Sequence, residues 1–239
     1  MKKVNTFMTL LVVIAFCTSN AIAQKISGKG SIVSETISMS KINAIGLGIA
    51  AEVYIKAGNS QKIEVKGQKN IIEILNKKPD GNSWEIGFKR GYNVKSYEKL
   101  EIYITMPEIE ALSIGGSGSI ICEGKFKVRD DLALSIGGSG DIKLDADAEE
   151  VKCNIGGSGS IELSGSAEEL KVSIGGSGDV KASNMKVNEC EISSAGSGDI
   201  EINVTNRLNV SLVGSGDVRY KGSPKVSKSI VGSGSVRPI

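Results

Sequence analysis

The sequence predicts an all-β chain wound as a three-sided parallel β-solenoid, with a less regular β section ahead of the regular coils. Three observations carry that prediction. A phrase of the form Gly-Ser-Gly-(Ser or Asp)-(Ile or Val) occurs seven times, starting at Gly116, Gly138, Gly157, Gly176, Gly196, Gly214 and Gly232. The steps between copies are 22, 19, 19, 20, 18 and 18 residues, the near-constant period of a stacked-repeat architecture. Around each copy apolar and polar residues alternate, which is strand periodicity rather than helix periodicity.

In chain order, the first segment is residues 1–23. Lys2 and Lys3 precede an apolar run from Phe7 to Phe16, and Ala21-Ile22-Ala23 supplies the small-x-small pattern of a cleavage site before Gln24. The run is short for a membrane span, so the segment reads as a cleaved signal peptide. Phe16 before Cys17 argues against a lipoprotein signal. The expected location is the periplasm, the cell surface or the medium, with no transmembrane segment.

Residues 24–110 lack the glycine phrase but remain strand-like, at 51–56, 62–66, 84–89 and 100–106. Pro79-Asp80-Gly81-Asn82 reads as a turn, and residues 91–98 read as a loop. This section is expected to form the first, irregular coils and to cap the open end of the core. It would be continuous with the regular solenoid of residues 111–239. A separate small β-domain is the alternative.

In the regular part, each repeat places apolar residues at fixed offsets from its first glycine. Four places before stand Leu112, Leu134, Cys153, Val172, Ile192, Val210 and, as the exception, Lys228. Two places before stand Ile114, Ile136, Ile155, Ile174, Ser194, Leu212 and Ile230. Four places after come Ile120, Ile142, Ile161, Val180, Ile200, Val218 and Val236. Stacked at an inter-strand spacing of roughly 4.8 Å, these offsets become internal columns. The glycines suit a sharp corner that needs positive φ or close backbone approach. Five places after the first glycine, in every copy from Gly138 onward, stands an outward charge, Lys143, Glu162, Lys181, Glu201, Arg219 and then Arg237, with the sign alternating over the first five. In register, neighbours of opposite sign support the stack.

The charge balance is 29 basic against 27 acidic residues. Removing Lys2 and Lys3 with the signal leaves the mature chain near neutrality, without the basic block that nucleic-acid binding would call for. There is no histidine, which excludes Ser-His-Asp and Cys-His catalysis and His-based metal sites. Cys122 and Cys153 fall in inward columns, and Cys190 aligns with Val151, Leu170 and Leu208. Their different columns make pairing implausible, so three buried, reduced thiols are expected.

One row invites a functional reading. Asp141, Asp179, Asp199 and Asp217 share the position three after the first glycine, where Ser119, Ser160 and Ser235 stand in other coils. Paired acids are the machinery of polysaccharide cleavage, and pectin-degrading enzymes use parallel β-helices. Stacked carboxylates also attract a cation such as calcium. However, the aspartate falls one residue early for the calcium-binding nonapeptide, and the period is about twice too long. A decoration that follows the repeat is more naturally structural. No catalytic, cofactor-binding or metal-ligating residue is therefore assigned. Among aromatics, Trp84, Tyr92 and Tyr97 are the first choice for a contact surface.

Several segments together resemble a known family. They are the signal peptide, the strand-rich opening, Leu-x-Ile-x-Ile-x-Met-Pro at residues 100–107, the glycine phrases, and Val-x-Tyr-x-Gly-x-Pro at residues 218–224. In combination they resemble the auto-transporter adhesin head GIN domain family of exported bacterial proteins, over nearly the whole mature chain. The resemblance implies a right-handed parallel β-helix, in line with the usual hand of parallel crossovers. It also implies a non-catalytic adhesin or envelope scaffold that binds a surface, a glycan or a protein. It supplies no catalytic residues and no cofactor.

Overall fold

Alternating apolar residues leave every second side chain on one face of a strand, and a single face can be buried only if the chain winds around it. The computed structural model, which describes residues 24–239, shows that winding as a β-solenoid. The signal peptide inferred for residues 1–23 lies outside the described residues.

Three long strands, Asp141–Ile155, Ser160–Ile174 and Asp179–Gly196, each bend around most of one coil and pair in parallel with the next. Ile200–Gly214 continues the stack, followed by Lys225–Gly232 and the short strands Val218–Lys221 and Val236–Pro238. Register is kept column by column. Leu112, Leu134, Cys153, Val172, Ile192, Val210 and Lys228 stand over one another, as do Ile120, Ile142, Ile161, Val180, Ile200, Val218 and Val236. Apart from Lys228, all are buried. Cys122, Cys153 and Cys190 are free and buried. Burial raises all three thiols, Cys122 and Cys153 to about 12, so they are inert side chains of the core.

The glycine corners are explained by proximity. A Cβ at Gly140 would lie 2.3 Å from the Gly118 carbonyl oxygen, and one at Gly159 would lie 1.9 Å from that of Gly140. Among the first glycines of the phrase, positive φ occurs only at Gly214 and Gly232. Close approach of stacked backbones is therefore the common requirement.

Most strands of residues 24–110 join the same sheet by a different route. Ser83–Ile86 and Ala111–Ile114 flank Ala44–Leu47, all parallel, so that Trp84, Ile45 and Leu112 form one column. On the adjoining face, Glu101–Met106 lies between Glu52–Ala57, to which it is parallel, and Lys62–Gln68, to which it is antiparallel. Ile32–Ile37 closes this edge, antiparallel to Lys62–Gln68. A short helix, Lys69–Ile74, buries Ile71, Ile72 and Ile74. The expected turn is present, with Asp80 and Ser83 exchanging backbone hydrogen bonds of 2.8 and 3.0 Å. The segment expected as a loop contains the strand Tyr92–Ser96, parallel to Gln24–Ser27. Its polar residues conceal a two-stranded sheet whose Tyr92, Val94 and Ile26 pack on the core.

Candidate contact surface

With the interior filled by aliphatic columns, chemistry is confined to the outward positions and corners. The aspartate row lies on one such corner, where the chain leaves the glycine phrase. Asp141 Oδ1 accepts hydrogen bonds from the Ser160 backbone N–H at 3.1 Å and from its hydroxyl at 2.9 Å. Asp179 Oδ1 accepts from the Asp199 N–H at 2.9 Å, and Asp199 Oδ1 from the Asp217 N–H at 3.1 Å. Asp217 Oδ1 accepts from both the N–H and the hydroxyl of Ser235, at 2.9 and 2.8 Å. Hydrogen bonds from Ser235 lower the Asp217 carboxyl below its ordinary range.

The coils without aspartate complete the rule. Asp179 N–H, which follows Ser160, donates to the Gly159 carbonyl at 3.1 Å, and Asp141 N–H, which follows Ser119, donates to the Gly118 carbonyl at 3.2 Å. An aspartate thus takes the corner N–H of the next coil, while a serine leaves it to the backbone. Either arrangement satisfies a group that would be costly to strand. Among the described residues, no cluster of three or more His, Cys, Asp or Glu side chains could hold a metal ion.

The outward charge row proves to be part of a longer column. Lys143 meets Glu162 at 2.8 Å, and Arg219 meets Glu201 at 3.3 Å and Asp199 at 3.1 Å. Lys181 lies in register between Glu162 and Glu201. Towards the N-terminal side, Lys143 is followed by Ile121, Tyr54, Tyr103 and Glu64. The two tyrosine rings stack with centroids 5.2 Å apart and planes 15° from parallel, and Lys66 Nζ lies 4.4 Å from the centre of Tyr103. Tyr54 donates to Glu52 at 3.0 Å, and that bond, followed by burial, raises its phenol. Lys99 bridges Glu101 at 2.7 Å and Glu52 at 3.5 Å, and the Lys99 contact lowers Glu101. A cleft of about 270 Å³ opens beside this group, lined in part by Glu52, Lys99, Ser117, Ser119 and Asp141.

The aromatics first chosen for contact lie elsewhere. Trp84 is fully buried, and its indole N–H donates to the Asn76 carbonyl at 2.8 Å. Tyr97 is half-buried, donates to the Ala50 carbonyl at 2.7 Å and meets Phe88 edge-on. Tyr92 packs against the core. These are packing residues. Tyr54 and Tyr103 were detectable instead from the matched segments Glu-Val-Tyr-Ile-Lys at 52–56 and Glu-Ile-Tyr-Ile-Thr at 101–105.

Residues 41–224 match the family described as "Putative auto-transporter adhesin, head GIN domain". The chain belongs to this family. Its head GIN fold is shared with solved structures. A "putative adhesin" from Bacteroides fragilis is 25% identical, with a TM-score of 0.79, and the match covers 90% of this chain and 100% of that one. A "putative lipid binding protein" from Parabacteroides distasonis is 26% identical with a TM-score of 0.76, at the same coverage of 90% and 100%. A "putative adhesin" from the same species is 25% identical with a TM-score of 0.69, again covering 90% and 100%. No curated protein matches this head GIN chain. Among its described residues, no helix is long and apolar enough to cross a membrane.

Proposed function

We propose that this chain is an exported, non-catalytic binding module of the adhesin type, a rigid prism whose outer faces contact a surface, a glycan or a protein. The observation that carries the reading is the use made of the aspartate row. Its carboxylates run along the axis and each accepts the backbone of the next coil, so they stiffen the tube. Cleavage of a glycoside needs two acids facing each other across a bond, about 5–9.5 Å apart, and a row spent on corner hydrogen bonds is a poor source of them. Family membership supports adhesion in the same direction. Export is read from the basic, apolar and small-residue pattern of residues 1–23.

A lipid ligand is a second reading, favoured by the exposed valines of the last coils, Val213 and Val231. It agrees with the description of the Parabacteroides distasonis neighbour as a "putative lipid binding protein".

The experiment is a binding screen of the mature chain on glycan arrays and immobilised cell envelopes, run in parallel with a polygalacturonate cleavage assay. Saturable binding without cleavage is expected. Measurable cleavage would overturn the non-catalytic reading.

A further inference from the structure

The last two coils carry a chemistry that the middle of the tube lacks. Residues 202–239 hold six cations and one acid, Asp217, whereas residues 141–201 hold five cations and thirteen acids. The arginines are engaged: Arg207 by Glu189, Arg219 by Asp199 and Glu201, and Arg237 by Asp217 at 3.7 Å. Lys221, Lys225 and Lys228 are exposed and have no carboxylate partner among the described residues. Lys228 stands at the end of an otherwise apolar internal column and reaches the Val236 carbonyl at 3.5 Å.

Apolar side chains accompany these lysines. Ala195, Val213 and Val231 stack in register at the outward position before the glycine corner. The corresponding residues of the earlier coils are Gly137, Gly156 and Gly175. Val213 is 54% exposed, Val231 65% and Ile239 59%. Between the same coils lies a groove of about 490 Å³ lined by Asn206, Arg207, Asn209, Lys225 and Ser227, with hydrogen-bond donors and no acid.

We propose that the last two coils dock onto an anionic lipid surface. Lys221 and Lys225 would meet the headgroups, the Asn206–Lys225 groove would receive a phosphate, and Val213 and Val231 would enter the interfacial layer. The proposal rests on the lipid reading above and gives it a place and a charge. Cations draw a protein to an anionic bilayer, and apolar side chains among them add area buried in the headgroup region. Charge also argues against a second copy docked end to end. Residues 24–110 hold thirteen cations and ten acids, so end-to-end stacking in either sense would bring like charges together.

The test is sedimentation of the mature chain with vesicles of phosphatidylcholine alone and of phosphatidylcholine with phosphatidylglycerol. Binding is expected only to the anionic vesicles, weakening as salt rises. The Lys221→Gln/Lys225→Gln variant should lose about 25-fold, since each cation near such a surface is worth about fivefold. Val231→Ser should weaken binding with an unchanged thermal melt. Lys181→Gln/Lys186→Gln, in the acidic middle, should leave binding unchanged. Equal binding to both vesicles would overturn the docking proposal while preserving a lipid ligand. Absence of vesicle binding would overturn the docking proposal and the lipid reading together, leaving adhesion to the glycan and envelope screen. Sedimentation without vesicles would assign the surface to self-association and also overturn it.

Discussion

At Gly159 a single methyl group would fall 1.9 Å from a carbonyl oxygen of the coil below, whereas at Gly156, three residues earlier, a methyl group would meet nothing within 4 Å. The two glycines belong to one corner, so a pair of variants separates close approach from any general effect of replacing glycine. Gly159→Ala forces neighbouring backbones apart and falls among the severe classes of substitution, with an expected cost of several kcal/mol, about 3 or more. Gly156→Ala should stay within about 0.5 kcal/mol of the parent. Thermal melts of the two variants beside the parent check this. Equal losses in both would show that backbone freedom, and not stacking, selects glycine here.

At the scale of the element, the corner row behaves as a ladder with two interchangeable rungs. Aspartate accepts the next coil's N–H, and serine leaves that N–H to a backbone carbonyl. Asp217 has a lowered carboxyl in the folded chain, chiefly through Ser235. A group of this kind contributes stability that is complete above its unfolded pKa of about 3.9 and is lost as pH falls through the folded value. The melting temperature should therefore fall as pH drops below about 5, and go on falling past the unfolded value towards the lowered folded one. Asp217→Asn keeps an oxygen acceptor but cannot titrate, so its decline should be shallower than the parent's. Parallel pH profiles for the two proteins would refute this. Much of the regular part was legible because one rule, period two from a glycine corner, repeats for seven coils. The N-terminal strands were legible singly but not in order. Nothing local to residues 101–106 says that they insert between 52–57 and 62–68, a choice made by tertiary packing. The helix Lys69–Ile74 escaped for a similar reason. Six residues with three isoleucines have little helical propensity, and burial holds them. On the surface, Trp84 was misassigned because an isolated aromatic gives no sign of the column it enters, whereas Tyr54 and Tyr103 share a pattern that marks a common face.

Over the whole molecule, the account makes the tube modular along its axis: each coil is held by its two neighbours, through aligned columns and aligned corners. Removing one complete period should then leave a shorter tube of the same kind, while removing part of one should put apolar side chains on the outer face. Deletion of residues 157–175 joins Gly156 to Gly176 and restores an intact Gly-Gly-Ser-Gly-Asp corner. Deletion of residues 157–166 joins the same glycine to the middle of a strand. The most direct measurement is the circular dichroism spectrum and melt of these two deletion proteins. The account predicts a β-sheet spectrum with a cooperative melt for the 157–175 deletion, and aggregation or loss of cooperativity for the 157–166 deletion. An unfolded full-period deletion beside a well-folded partial one would contradict it.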